Sequence, residues 1–111
     1  MIKKRRIGKT DIELSELGFG CAPLGGWPVA VSDNDANTAL ETAWSKGIRY
    51  FDTAPLYGSG MSETRLGKFL QNQKRDEFVI STKVGRLIVD TEQSKAVEKF
   101  IGSPKDKDSE F

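Results

Sequence analysis

The feature that most constrains the fold is an alternation of helix-like and strand-like segments through the middle of the chain. Ser32 is placed to cap a helix, with Asp35 as its capping-box partner and Gly47 at its end. "IRYFDT" (48–53) follows at once and is typical of a strand. Strand–helix–strand units with short connections predict parallel strands joined by right-handed crossovers. The apolar face of the helix is predicted to comprise Ala36, Ala39, Leu40, Ala43 and Trp44.

Two further segments precede this helix. "IKKRRI" (2–7) and "DIEL" (11–14) flank the turn-forming residues "GKTD" and predict a β-hairpin. The basic run "KKRR" within it is interpreted as a solvated strand edge, because no aromatic residues are interleaved. "LGFGCAPLGG" (17–26) predicts a short buried strand that enters a loop rich in glycine and proline.

The same alternation continues after the central strand. Ser59 or Ser62 is placed to cap a second helix, and "EFVISTKVG" (77–85) predicts a third strand. The apolar face of the second helix is predicted to comprise Leu66, Phe69 and Leu70. The sequence therefore predicts an α/β fold: a β-hairpin followed by strand, helix, strand, helix and strand.

The composition changes near residue 89. The segment 89–111 carries many charges and few apolar residues, with one short helix predicted after Thr91 and a flexible tail beyond Gly102. We therefore predict one structural unit at 1–88 and a charged, flexible segment at 89–111.

Composition also limits the function classes. The 111 residues have a formal net charge of +1, which gives no reason to expect nucleic acid or a membrane surface as a partner. Cys21 is the only cysteine, and no apolar run approaches the ~20 residues of a membrane span, so we expect a cytoplasmic protein. Two glycine-rich segments partly match phosphate-binding patterns, but Lys3 and Pro23 stand at positions where those patterns need a glycine. No metal site is predicted.

Three polar residues are predicted to meet at the carboxyl edge of the parallel strands. Because side chains alternate along a strand, Tyr50 and Asp52 share one face, and Ser81 and Lys83 share one face of the next strand. If both faces point inward, Asp52 and Lys83 lie within pairing distance, and Tyr57 in the connecting loop leans over both. This edge is where α/β folds bind ligands.

Such a cluster favours acid–base chemistry. A tyrosine with an ordinary pKa near ~10 is a weak acid at neutral pH, but a neighbouring lysine stabilises the phenolate, and an aspartate can hold that lysine. Histidine, the commonest general acid or base, is absent from the sequence. The residues alone leave a second interpretation open, in which Asp52 caps a turn, Lys83 is solvated and Tyr57 packs.

At these residues the sequence resembles the aldo-keto reductase family. "GIRYFDTAPLYGSGMSETRLGKFL" (47–70) resembles the family signature Gly-x-Arg-x-Phe-Asp-Thr-Ala-x-x-Tyr-Gly followed by Ser-Glu-x-x-Leu-Gly. "ISTKVG" (80–85) resembles the segment that carries the family's lysine, and the whole resemblance covers about residues 2–88. The residue patterns "GFGCAPLGG" and "STKVGRL" resemble those of the branch of aldose, fucose-type and pyridoxal dehydrogenases.

The resemblance implies the N-terminal third of a (β/α)₈ barrel, NADP or NAD as cofactor, and a small-molecule carbonyl substrate. It implies Asp52, Tyr57 and Lys83 as catalytic residues, with Tyr57 as general acid/base, beside a histidine that this sequence lacks. Trp27 is implied in the substrate wall. The residues implied to bind the cofactor are Asp52 and the loop of Cys21, Ala22, Pro23 and Leu24.

The chain departs from the family pattern in length. A (β/α)₈ barrel needs roughly 250 residues, so 111 residues are expected to end within the barrel and to be inactive alone. The alternative is a non-catalytic truncated product that acts, if at all, by self-association or complementation. The third strand would then be an open edge, with Phe78 and Ile80 short of packing partners and available for association.

Overall fold

The computed structural model describes residues 1–90 and residue 92. Strands β1 (Lys4–Arg6) and β2 (Glu13–Ser15) pair antiparallel, and strands β3 (Phe19–Gly20), β4 (Tyr50–Asp52) and β5 (Val79–Ser81) form a parallel sheet in that order. Helix α1 (Asp33–Ser45) lies between β3 and β4, and helix α2 (Met61–Leu70) between β4 and β5. One-turn 3-10 helices span Ala22–Gly25 and Arg75–Glu77.

The predicted α/β order is confirmed, and every strand is shorter than the segment that predicted it. The hairpin strand β1 is exposed at all three residues, as expected for a solvated edge, and Arg5 Nε pairs with Glu16 Oε1 at 2.7 Å. The helix and tail predicted after Thr91 lie outside the described residues. Across residues 1–90 and 92, no helix combines the length and the apolar character needed to cross a membrane.

Helix α1 begins and ends where the sequence indicates. The Ser32 hydroxyl accepts a hydrogen bond from the backbone N–H of Asp35 at 3.1 Å, and Gly47 takes a left-handed φ of 96° just after the last turn. Ala36 and Leu40 are fully buried on its inner face. Ala39 is exposed, contrary to the prediction, because it lies roughly 60° around the helix from Ala36, at the margin of the apolar stripe.

Helix α2 begins differently from the prediction. Its N-cap is Gly60, at a left-handed φ of 95°, and neither Ser59 nor Ser62 caps it. Ser62 instead lies in the first turn with 0% exposure, and its hydroxyl donates to the carbonyl oxygen of Cys21 at 2.8 Å. A tertiary hydrogen bond has therefore taken the place of the local cap. The predicted apolar face of Leu66, Phe69 and Leu70 is buried.

The core lies where both helices pack against the sheet. Phe51, at the centre of β4, is 0% exposed, and the Trp44 ring stacks on it with centroids 6.4 Å apart. Phe78, expected to lack partners, is 6% exposed because it packs edge-on against Trp44 at 6.3 Å. Ile80 on β5 remains 38% exposed. The remaining core residues are Cys21, Leu24, Ala36, Leu40, Ala43, Ile48, Leu66, Phe69 and Leu70.

Candidate active site

Asp52 and Lys83 meet at the carboxyl edge of the parallel sheet. Asp52 is the last residue of β4 and is in register with Ser81 of β5. Lys83 follows Ser81 by two residues and therefore lies on the same face as Asp52. The Lys83 ammonium donates to Asp52 Oδ2 at 3.1 Å and to the carbonyl oxygen of Thr53 at 3.1 Å. Two of its three N–H bonds are thus fixed by the last residue of β4 and the residue that follows it.

Tyr57 faces the same ammonium from the loop between β4 and α2. Lys83 Nζ lies 5.1 Å from the centroid of the Tyr57 ring. The loop is held by a close backbone approach, since a Cβ added to Gly25 would stand 2.6 Å from the backbone nitrogen of Gly58, itself at a φ of 64°. Only glycine fits such an approach, so the pair Gly25 and Gly58 sets the position of Tyr57.

A hollow opens beside this cluster. Tyr57 and Lys83 form its polar side, and the guanidinium-bearing Arg86 stands on its border. The other residues that line it are Ala54, Pro55, Leu56 and Val84. An apolar wall with a phenol and cations at one side is suited to a small polar molecule that presents an oxygen to those groups.

The charges of Asp52 and Lys83 support one another. The pKa of Asp52 is lowered, chiefly by a hydrogen bond from the Ser81 hydroxyl and further by Lys83, against the opposing effect of burial. The pKa of Lys83 is raised, chiefly by its hydrogen bond to Asp52 and further by the proximity of Tyr57, against the opposing effect of burial. Both groups are therefore charged at neutral pH, and the ammonium stays beside the phenol.

Two residues that the sequence placed on these faces take a direct part in the cluster. Ser81 Oγ donates to Asp52 Oδ1 at 2.5 Å, and Tyr50 Oη lies 2.8 Å from Ser81 Oγ. Strand alternation put Tyr50 with Asp52 and Ser81 with Lys83, but the register between the two strands could not be read from the sequence. In that register Tyr50, Ser81, Asp52 and Lys83 form one hydrogen-bonded chain.

A second set of hydrogen bonds, on the buried side of the sheet, joins the ends of β3 and β4. The buried hydroxyls of Thr53 and Ser62 lie 2.8 Å apart, and Ser62 donates to the carbonyl of Cys21. The backbone N–H of Cys21 in turn donates to the carbonyl of Asp52 at 2.8 Å. This set of bonds fixes the ends of β3 and β4 to the first turn of α2, whereas the local sequence pattern predicted only a capping role for Ser62.

The residues of the 21–27 loop lie at different depths. The Cys21 side chain is fully buried, and burial, followed by the charge of Asp52, raises its pKa to about 12. Ala22 is partly exposed and Pro23 exposed at the end of β3. Trp27 is 67% exposed on the surface beyond them. Within residues 1–90 and 92, no cluster of three side chains suited to holding a metal ion is present.

The comparisons with known proteins agree on one family. The model of the aldo/keto reductase family matches residues 16–106. The D-threo-aldose 1-dehydrogenase of a Pseudomonas species is 56% identical over 77 residues, which are 69% of this chain and 23% of that enzyme. The pyridoxal 4-dehydrogenase of Microbacterium luteolum is 51% identical over 86 residues, 78% of this chain and 25% of the enzyme.

The solved structures support the same assignment. The holo form of aldo-keto reductase AKR11C1 from Bacillus halodurans superposes with a TM-score of 0.67 at 39% identity, covering 77% of this chain and 26% of that one. A thermostable aldo-keto reductase, Tm1743, crystallised with the inhibitor epalrestat, gives a TM-score of 0.66 at 30% identity. The chain spans about a quarter of the length of the curated relatives that it matches.

Proposed function

The chain belongs to the aldo/keto reductase family, and from that premise we propose that residues 1–88 supply the proton-transfer part of an NAD(P)-dependent oxidoreductase site. The reaction is hydride transfer between a nicotinamide cofactor and a carbonyl or alcohol group, as in a sugar or aldehyde. The observation that carries the proposal is the position of Lys83 Nζ, 3.1 Å from Asp52 Oδ2 and 5.1 Å from the Tyr57 ring centroid.

Each of the three residues then has a separate task. Tyr57 gives its phenolic proton to the carbonyl oxygen during reduction and takes the proton of the alcohol during oxidation. Lys83 stabilises the phenolate that remains, because its ammonium is held beside the ring. Asp52 keeps Lys83 charged and in place. The nicotinamide, when bound, supplies or accepts the hydride.

The residues at the end of β3 fit one side of a nicotinamide site. Ala22 and Pro23 keep accessible surface at the same sheet edge as Asp52, whereas Cys21 is buried and would act by fixing that loop. Trp27, which exposes 67% of its surface, is proposed as part of the substrate wall.

Two facts favour a site that is completed from elsewhere. The sequence contains no histidine, and we propose that the fourth, carbonyl-orienting group implied by the family resemblance comes from outside these 111 residues. The matched relatives are about four times as long as the matching segment. We propose that the 111-residue chain alone neither reduces carbonyl compounds nor binds NADPH tightly.

A chimera tests the proposal. Residues 1–88 replace the matching segment of the Pseudomonas D-threo-aldose 1-dehydrogenase, and oxidation of an aldose is followed at the absorbance of the reduced nicotinamide. The chimera is expected to be active, and Tyr57→Phe is expected to lower kcat by about 10²–10⁴-fold, the usual contribution of a general acid or base. Trp27→Phe serves as the control that alters KM while sparing the proton donor.

The outcomes separate the parts of the proposal. A Tyr57→Phe chimera with full activity would overturn the role of the phenol. Turnover by the 111-residue chain itself, if abolished by Tyr57→Phe, would instead contradict the claim that this chain is incomplete.

A second candidate function, self-association, is favoured by the exposed edge. Among the described strands β5 is paired on one side only, and the apolar side chains on or just after it include Ile80 at 38%, Val84 at 96% and Leu87 at 84% exposure. We expect oligomers or a broad peak from the 111-residue chain in size-exclusion chromatography. An Ile80→Lys variant should sharpen the peak, and a sharp wild-type monomer would contradict the proposal.

A further inference from the structure

The open face of the sheet carries a polar chain that extends behind Asp52. Its members are Tyr50 and Asp52 on β4 and Ser81 and Lys83 on and after β5, all on one face. The distances along the chain are 2.8 Å from Tyr50 Oη to Ser81 Oγ, 2.5 Å from Ser81 Oγ to Asp52 Oδ1, and 3.1 Å from Asp52 Oδ2 to Lys83 Nζ. The two carboxylate oxygens of Asp52 thus have different partners.

The direction of each hydrogen bond follows from proton counting. An ionised carboxylate only accepts, so the single hydroxyl proton of Ser81 goes to Asp52 Oδ1. Ser81 Oγ has no second proton to give, and Tyr50 must therefore donate to it. Each donor polarises the next, which strengthens the final bond to the carboxylate.

We propose that Ser81 is a positioning residue of this site, which, with Tyr50 behind it, fixes the Asp52 carboxylate so that Oδ2 faces Lys83. Without the Ser81 hydroxyl, rotation of the carboxylate about its Cβ–Cγ bond would be restrained by Lys83 alone. That side chain is long and half exposed, at 50%, and it restrains weakly. The proposal rests on the proposed function only for its catalytic consequence, since the hydrogen-bonded chain is a property of the fold.

The surroundings of Asp52 agree with this assignment. The titratable group in contact with Asp52 is the Lys83 ammonium; the Tyr50 phenol is one hydrogen bond further away through Ser81, and the buried Cys21 thiol lies at the end of β3. The thiol is neutral at ordinary pH because its pKa is raised by burial. The Ser81 hydrogen bond is the largest cause of the lowered Asp52 pKa, ahead of Lys83.

The test is a nuclear magnetic resonance titration of the full 111-residue chain. The side-chain carboxyl ¹³C shift of Asp52 is followed from about pH 2 to about pH 7 in the wild type, Ser81→Ala, Ser81→Thr and Tyr50→Phe. We expect Ser81→Ala to raise the Asp52 pKa toward that of an ordinary aspartate. Ser81→Thr, which keeps the hydroxyl, should restore the wild-type value, and Tyr50→Phe should raise it by less than Ser81→Ala.

Two results would overturn the proposal. One is an Asp52 pKa unchanged in Ser81→Ala, which would mean that Ser81 only fills space. The other is an equal shift in Ser81→Thr and Ser81→Ala, which would attribute the effect to packing. If Ser81→Ala does not fold, Tyr50→Phe decides by removing one oxygen atom, and no shift there contradicts the chain. The titration needs no hydride transfer, so it is independent of the chimera experiment.

Discussion

The two faces of β4 differ in how far their side chains are shielded from solvent. On one face Phe51 and Thr53 point toward the helices and are 0% and 3% exposed. On the other, Tyr50 and Asp52 are only partly covered and form the polar chain to β5. Because alternate residues of one short strand serve both faces, β4 couples the core to the candidate site. A shift of the strand that changed the packing on one face would also change the hydrogen bonds on the other.

Polar groups illustrate the same difference. The hydroxyls of Thr53 and Ser62 on the closed face have lost access to water and depend wholly on each other and on the Cys21 carbonyl. Asp52 and Lys83 on the open face keep 39% and 50% of their side-chain surface exposed. The closed face should therefore carry the stability of the fold, and the open face should carry its charge-dependent properties.

The largest effect that separates the faces is expected at neighbouring positions of β4. Phe51→Ala should lower the free energy of unfolding by about 3–5 kcal/mol, because it leaves a cavity beneath Trp44 and Phe19. Asp52→Asn, on the opposite face, should cost at most about 1 kcal/mol, since water can solvate the amide. Urea unfolding followed by tryptophan fluorescence measures both. Equal losses would show that the two faces do not differ in this way.

A smaller effect is expected from a matched pair of serines. Ser62→Ala should cost about 1–3 kcal/mol, because it leaves the Thr53 hydroxyl buried without its partner and removes one of the two hydrogen bonds to the Cys21 carbonyl, which keeps the one from the Leu24 N–H. Ser81→Ala removes the same atom from the open face and should cost less, since water can reach Asp52 there. The comparison uses urea unfolding of both variants. A Ser81→Ala loss as large as that of Ser62→Ala would contradict the ordering.

Apolar burial on the closed face could be predicted more directly than side-chain pairing on the open face, for a physical reason. Burial of Phe51, Leu40 and Leu66 follows from the periodicity of apolar residues, which is a property of each segment by itself. The pairing of Asp52 with Lys83 was predicted only on the condition that both faces point inward. The link through Ser81 depends on the parallel register between β4 and β5, which is set by tertiary packing.

Three of the sequence-based errors share one cause, which is competition from tertiary contacts. A serine near the start of a helix usually caps it, but Ser62 bonds to Cys21, a residue 41 positions away. Phe78 was expected to lack partners, yet the Trp44 ring reaches it from α1. Arg65 was not singled out at all, although its guanidinium donates to the carbonyls of Leu24 and Val31. Local pattern carries no information on such long-range partners.

The smallest effect is the pH dependence of the open face. The folded pKa of Asp52 is lowered, so its contribution to stability is complete above the unfolded value of ~3.9 and is lost as the pH falls through the folded pKa. That of Lys83 is raised, so its contribution is complete below ~10.4 and is lost as the pH rises through the folded pKa. Since both side chains are well exposed, the contribution should stay below about 1 kcal/mol.

The measurement is the difference in unfolding free energy between the wild type and Asp52→Asn as a function of pH. The difference should be constant between about pH 5 and pH 9 and vanish in acid, where the wild-type carboxyl is protonated. Added salt should reduce the Lys83 share of the difference, because exposed charges are screened, while the Ser81 hydrogen bond is less affected. A difference that persists in strong acid would assign the stabilising effect of Asp52 to its shape and not to its charge.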